Sequence, residues 1–524
     1  MGLLFYPRGG SAQVTRYLAA ALDRKGCPVR LFTGSFGEPG AVANAATFFA
    51  GLDVAAADYT PALGAFDRGG DPMAAEIPLH PSFEDRVGAP DRLFASLDDR
   101  EAERQVAAWQ RLFAEGSAAE AAIAHLHHLT PQHEALARGA PGLPVVAHLH
   151  GTELKMLDGI RRRRELAVRL GTDLTGMATG AGSERAEARL TDAERELFQS
   201  TRWEAWRYGD AWEARLQAAA RRADQLIAIS PHDRDEAARL LGVDESRAEV
   251  IPNGVDVERF DRHRLGPEER WARWRAWLVD DPRGWDASGV AGSVRYGADD
   301  LTVFADLKTG EVNPVLLYVG RFLAFKRVPL LVRAYQRARS SFDRPAPLVI
   351  WGGYPGEWEG EHPVEVARSG GTEGIFFTGW RGHDDLPEGL NAADVLVAPS
   401  VDEPFGQVYL EAMACGLPVI ATPTGGPLSF VNTSPGRPSG WFVDPDEEAR
   451  LAATLIEVVN TARERRARGE AAYAQIRAGY AWDMIASRVV SLYEGVLAKR
   501  TERDIRAKQV PTSSTETEGQ SWPD

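Results

Sequence analysis

The chain alternates short β-branched apolar runs with longer stretches in which apolar residues recur every three or four positions. GLLFYP at the start reads as a strand, SAQVTRYLAAALDRKG as an amphipathic helix ended by Gly26, and PVRLFTG as a second strand. The same grammar returns in AAIAHLHHL, PVVAHLHG, QLIAIS and AEVIPNG, short strands that end in small or polar residues. A second series begins near residue 314 with PVLLYVGR and runs through PLVIWGG, GIFFTGW, DVLVAPS and LPVIATP. Strands separated by helices predict parallel sheets with helices on both faces. The expected fold is therefore α/β, with two doubly wound Rossmann-like domains at 1–262 and 313–481 facing each other across a cleft. Two segments break the rhythm. Residues 155–222 are mostly helical, with a capping-box pattern at Thr191–Glu194. Residues 263–312 are rich in tryptophan and fit neither half, so they read as an insertion or linker. A helix over 482–500 closes the fold, and the polar stretch 501–524 reads as a disordered tail.

Composition narrows the partners. A length of 524 residues calls for two or three domains. The net charge of −15 disfavours nucleic acid or an anionic membrane as the main partner. Cys27 and Cys415 are too few for a disulfide framework or a cysteine zinc site, and a reducing cytoplasm suits them. No apolar run approaches the roughly 18 residues of a membrane span, and the N-terminus carries no recognisable leader. The expectation is a cytoplasmic protein, with peripheral membrane contact disfavoured. Lysine is scarce, six against 54 arginines, so each lysine inside a motif carries more information.

Candidate chemistry lies at strand ends. There is no Gly-Lys-Ser/Thr and no Gly-x-Gly-x-x-Gly after the first strand, which argues against a P-loop or the usual dinucleotide site. HLHH at 125–128 could be a metal tract, but no acid stands beside it in the sequence, and no metal is expected. In VGRFLAFKRV a strand ends at Gly320, Arg321 and Lys326 follow, and a helix starts near Arg327 with Pro329 in its first turn. Two cations beside a helix N-terminus make a diphosphate site; the plainer alternative is two surface bases in a loop. In EPFGQVYLE, Glu403 sits in a turn and Glu411 on the helix after it. Nine helical residues would separate the carboxylates by about 12 Å. Glycosidase pairs need roughly 5 to 9.5 Å, so two grips on one long ligand read better than an acid/base pair. Gly9 and Gly10 let backbone approach a phosphate, and His150 ends a strand that points into the same crevice. Trp203, Trp206, Tyr208 and Trp212 crowd a polar segment. Their faces suit an acceptor sugar or aglycone, or else staple the helices to the domain.

Taken together, GG at 9–10, HG at 150–151, IPNGVDVERF at 251–260, VGRFLAFK at 319–326 and EPFGQVYLEAMACGLPVIA at 403–421 resemble the retaining nucleotide-sugar glycosyltransferases of family 4, which have the GT-B fold. The resemblance covers most of 1–262 and 314–500. It implies that Arg321 and Lys326 hold the donor diphosphate, which Gly9 and Gly10 approach from the other half. Glu411 would bind the ribose. Glu403 would sit by the donor sugar, whose hydroxyls the Phe405 and Gly406 amides would grip. His150 would touch the sugar from the N-terminal half, and Trp380 and Arg381 would lie at the base. Glu403, Lys326, Arg321 and His150 are the catalytic candidates. The final helix would cross back onto the N-terminal domain. The resemblance further implies a nucleotide-diphosphate sugar donor, UDP before GDP, a small-molecule acceptor, attack from the leaving-group face, and no metal. Ser429 stands where the family often has an acid. Three alternatives remain open: an epimerase or hydrolase on the same scaffold, a silent sugar-nucleotide binder, and a transferase to lipid whose headgroup meets RRRRE at 161–165.

Overall fold

The computed structural model describes residues 1–86, 88–181, 190–306 and 309–509, with side chains as far as 502. The first sheet has seven strands: β1 (Gly2–Leu3), β2 (Arg30–Ser35), β3 (Asp53–Asp58), β4 (Ala124–His127), β5 (Val145–His148), β6 (Gln225–Ala228) and β7 (Ala248–Val250). Their order is β3-β2-β1-β4-β5-β6-β7, and every pair is parallel. The second sheet has six: β8 (Leu316–Gly320), β9 (Leu348–Gly352), β10 (Ile375–Gly379), β11 (Val395–Val397), β12 (Val419–Ala421) and β13 (Gly440–Phe442). They run β10-β9-β8-β11-β12-β13, again all parallel. In each sheet the order reverses direction once, beside β1 and beside β8. The connections diverge there and open a crevice at the carboxyl ends of the strands.

Helix α1 (Gly9–Arg24) follows β1 and buries Val14, Leu18 and Leu22, residues four apart on one face. That stripe meets the last helix, α5 (Trp482–Gln509), through Trp482, Ile485, Val489 and Val496. The C-terminus thus returns to the first domain. The helix runs to Gln509, so the tail expected from 501 starts as helix because its first residues continue the docked element. Residues 510–524 lie outside the described residues.

The two irregular segments belong to opposite halves. Between β5 and β6 lie α2 (Thr152–Arg169) and further helices at Leu174–Ala178, Asp192–Ser200 and Gly209–Arg222. The capping box at Thr191–Glu194 forms as the spacing predicts. The segment 263–312 is no linker in packing terms. Trp274, Trp277, Trp285, Leu301 and Phe304 are buried in the core of the C-terminal half. No helix among the described residues is long and apolar enough to cross a membrane.

Candidate active site

One wall of the cleft is charged. β8 ends at Gly320, and the chain turns through Arg321 and a short 3-10 segment at Ala324–Lys326 into α3 (Val328–Ala338), with Pro329 in its first turn. Lys326 is mostly buried and ion-paired with Glu403. Arg321 is half exposed and reaches toward Glu84 of the other half, at 3.7 Å. The Glu403 turn enters α4 (Gln407–Ala414) through Gly406 at φ +85. A Cβ there would lie 2.5 Å from the Tyr409 ring, so glycine is required on two counts. The N–H groups of Phe405 and Gly406 make no hydrogen bond among the described residues, which leaves them free for a ligand. Phe405's own ring is buried. The Gly426 N–H donates to the Glu403 carbonyl at 2.7 Å and fixes the turn from behind. Ser429, in the same supporting loop, accepts from the Tyr480 hydroxyl through its carbonyl at 3.0 Å. Glu411, one turn into α4, is buried and 2.9 Å from His383 Nε2.

The facing wall is glycine and neutral imidazole. Gly9 (φ +74) and Gly10 open α1, and a Cβ on either would meet nothing within 4 Å. His150 is buried; its Nε2 lies 2.9 Å from His127 Nδ1. Burial and the neighbouring histidines hold its pKa well below the usual value, so the ring is neutral. Its backbone N–H donates to Glu153 Oε1 at 3.1 Å, and Glu153 Oε2 is 3.2 Å from His128 Nδ1. The acid missing beside HLHH in the sequence is thus supplied in space by α2. Asp233, beneath the same loop, is pushed up to about 7 by burial and by the Glu153 charge.

The two walls touch. Gly151 (φ +83) packs so closely on Pro404 that a Cβ would come 2.8 Å from its Cβ. Lys155 Nζ, from α2, lies 4.7 Å from the centre of the Phe325 ring. Desolvation lowers the Lys155 pKa while Glu403 and Asp402 pull it back up. Lys326, Glu403, Gly151 and Lys155 therefore share one locality, built from both halves.

Two expectations fail on packing. Arg381 does not face the cleft: its buried guanidinium donates to the Trp277 carbonyl at 2.7 Å and to Asp281, tying the 263–312 segment to β10. Trp380 beside it is half exposed and meets Tyr354 edge-to-face at 5.5 Å. The acceptor aromatics are core. Trp212 is buried with its indole N–H on the Leu97 carbonyl at 2.9 Å. Trp206 is buried under the Arg163 guanidinium at 3.9 Å, and Trp203 and Tyr208 pack on the same cluster. The stapling role wins because these rings fill the layer between α2 and the first domain. The arginine run is also spent locally: Arg161 and Arg164 pair with Glu213.

Comparisons with known proteins bear on the family and the fold. The model described as Glycosyltransferase Family 4 matches residues 8–259, and Glycosyl transferases group 1 matches 300–475. The chain belongs to the family 4 glycosyltransferases. A D-inositol 3-phosphate glycosyltransferase of Salinispora arenicola is 28% identical over 284 residues, 53% of this chain and 56% of that protein. An alpha-maltose-1-phosphate synthase of Mycolicibacterium smegmatis is 28% identical over 314 residues, 56% of this chain and 70% of that one. The match to the first of these spans little more than half its length. The fold is that of a sucrose-phosphate synthase from Thermosynechococcus elongatus (TM-score 0.56, 19% identity, 95% of this chain and 96% of that one). It is also that of Anabaena HepE, solved with UDP and glucose (TM-score 0.54, 17% identity, 94% and 99%). Both sheets are GT-B sheets.

For this glycosyltransferase, sequence reasoning missed Lys155, His383, Glu153 and Glu84. Lys155 had a signal, since it is one of only six lysines and sits five residues after His150. His383 shares a loop with Trp380. Glu153 had a partial signal, standing three residues after His150, whose N–H it accepts, although its other partner, His128, is remote. Glu84 had none, because Arg321 is remote in the chain.

Proposed function

We propose that the enzyme is a retaining transferase that moves a sugar from a nucleoside diphosphate sugar, UDP-linked by preference, to a small-molecule acceptor without a catalytic metal. The observation that carries this reading is the Lys326–Glu403 pair pressed against the His150–Gly151 turn of the other half. Arg321, Lys326 and the N-terminal turns of α3 and α4 supply fixed positive charge where the leaving diphosphate gains negative charge. Lys326 shares its charge with Glu403 until the phosphates arrive. Glu403 then faces the sugar carbon as it becomes oxocarbenium-like, and the free Phe405 and Gly406 N–H groups take the sugar hydroxyls. The acceptor oxygen bonds to that carbon on the face the diphosphate leaves, and its proton passes to the departing phosphate oxygen. The anomeric configuration is kept. His383 orients Glu411 toward the ribose, and the exposed Trp380 lies at the base. The names of the inositol-phosphate and maltose-phosphate relatives support a small polar acceptor.

A thermal-shift panel of UDP-, GDP-, ADP- and dTDP-sugars tests the donor. The right one at 100 times its dissociation constant should add about 2.7 kcal/mol. A panel with no response counts against the reading. Donor turnover without acceptor, giving an epimer or free sugar as the main product, favours the epimerase or hydrolase alternative.

A further inference from the structure

β4 and β5 lie side by side in the first sheet, in a register that sets His127 opposite His148. The two-residue period of a strand puts His125 and His127 on one face. His148 and His150 lie on that same face, as their rings show. The ring centroids are 4.8 Å apart for His125 and His127, 5.0 Å for His127 and His148, and 4.7 Å for His148 and His150. All four are buried. Helix α5 covers His125, whose Nδ1 is 2.5 Å from the Tyr493 hydroxyl.

A neutral imidazole has one N–H and one lone pair, so each ring nitrogen needs a partner when buried. His125 uses both, one on Tyr493 and the other on His148 Nδ1 at 3.1 Å. His127 Nδ1 meets His150. The Nε2 atoms of His127 and His148 are buried and have no hydrogen-bond partner among the described residues. Two adjacent unpartnered nitrogens in an apolar layer are costly, and valine or leucine would fill the space without them. One ring nitrogen from each of His125, His127 and His148 lies within 4.8 Å of the others. Three nitrogens about 2.0–2.1 Å from one tetrahedral ion stand about 3.4 Å apart, so the rings must rotate inward by up to about 1.4 Å to close the set.

The geometry points to a buried transition-metal site held by His125, His127 and His148, between the first sheet and the crossing helix. Three imidazoles without carboxylate or thiolate select an ion of the zinc, copper or nickel class over magnesium or calcium. The Nε2 lone pairs of His127 and His148 go to the ion, and His125 joins by exchanging its hydrogen bond to His148. His127 Nδ1 then carries the proton and donates it to His150 Nε2, which fixes the tautomer of the cleft histidine. The ion is structural and touches neither donor nor acceptor; its test reads Co(II) binding, so its failure leaves the metal-free reaction standing.

The test uses the full chain without added histidines, unfolded in guanidinium and refolded with Co(II), because α5 seals the site once it docks. One Co(II) per chain with a visible d–d band, retained on gel filtration, is the expected result. His127→Asn combined with His148→Asn should abolish it while circular dichroism and nucleotide binding persist. Should that variant fail to fold, His148→Gln alone should weaken Co(II) binding at least about tenfold, or about 1.4 kcal/mol. Absence of a saturable band overturns the proposal. So does a band that survives in the double variant, or one of undiminished affinity in His148→Gln, which would place the ion on exposed histidines such as His232 or His263.

Discussion

The two halves of the cleft have the same kind of sheet and opposite chemistry. The C-terminal wall presents Arg321, Lys326, Glu403 and Glu411 at the carboxyl ends of β8 and β11. The N-terminal wall presents Gly9, Gly10 and the neutral ring of His150 beside buried acids. In the proposed reaction, charge at one wall would hold the part of the donor that becomes anionic. At the other wall Gly9, Gly10 and His150 carry no charge, and in that reaction backbone and an uncharged ring would come close to the donor there. One fold built twice thus carries two chemistries, and the division follows from side chains at strand ends rather than from topology.

The largest expected effect comes from removing charge at the gripping wall. Lys326→Ala should slow turnover by roughly 10² to 10³, by analogy with lost oxyanion donors. The same substitution leaves Glu403 buried without its partner, so its melting curve should be taken alongside the kinetics. Turnover within twofold of wild type would remove Lys326 from the site.

The next effect lies at the neutral wall and is read as stability. Asp233 is raised to about 7 by burial first and by Glu153 second, with Lys155 and the Ser230 hydrogen bond opposing and Glu236 adding to the rise. A raised carboxyl is favoured protonated in the fold, so its contribution is full below pH 4 and is lost as pH rises to about 7. Asp233→Asn should therefore be the more stable form at pH 8, by up to about 4 kcal/mol, and the gain should vanish near pH 4. Urea melts at the two pH values check this; equal gains at both would mean that Asp233 is ionised in the fold.

Glu411→Ala should raise the donor KM about tenfold with turnover little changed, since the ribose is remote from the reacting carbon. An equal fall in kcat would move Glu411 closer to the chemistry. The smallest effect is at the seam. Glu84 and Arg321 are both half exposed at 3.7 Å, and such pairs contribute under about 1 kcal/mol. Glu84→Gln frees Arg321 and should tighten nucleotide binding by no more than about fivefold. Weaker binding would give Glu84 a direct role in holding the donor.

The charged wall was more legible in the sequence than the neutral one. Arg321, Lys326, Glu403 and Glu411 sit in two short stretches, each a strand end followed by a helix start, so local spacing carries their arrangement. Both sheets were legible for the same reason, because strand and helix periods are local. Arg381 misled because its loop reads like its neighbours, and only the long-range packing of the 263–312 segment claims its guanidinium. The aromatic run misled because helix pattern alone does not say whether a tryptophan faces a ligand or a second helix. Glu153 beside His128 and Glu84 opposite Arg321 are pairings across the fold, with no trace in local spacing.

In the proposed reaction the C-terminal wall grips the diphosphate by its own cations. Calorimetric titration of UDP in EDTA, on wild type and on Arg321→Ala combined with Lys326→Ala, decides whether it does. Charge-assisted hydrogen bonds of roughly 1.5 to 3 kcal/mol each predict binding by wild type in chelator and a loss of at least about a hundredfold in the double variant. Wild-type binding that appears only with added magnesium, or near-normal affinity in the double variant, would contradict it.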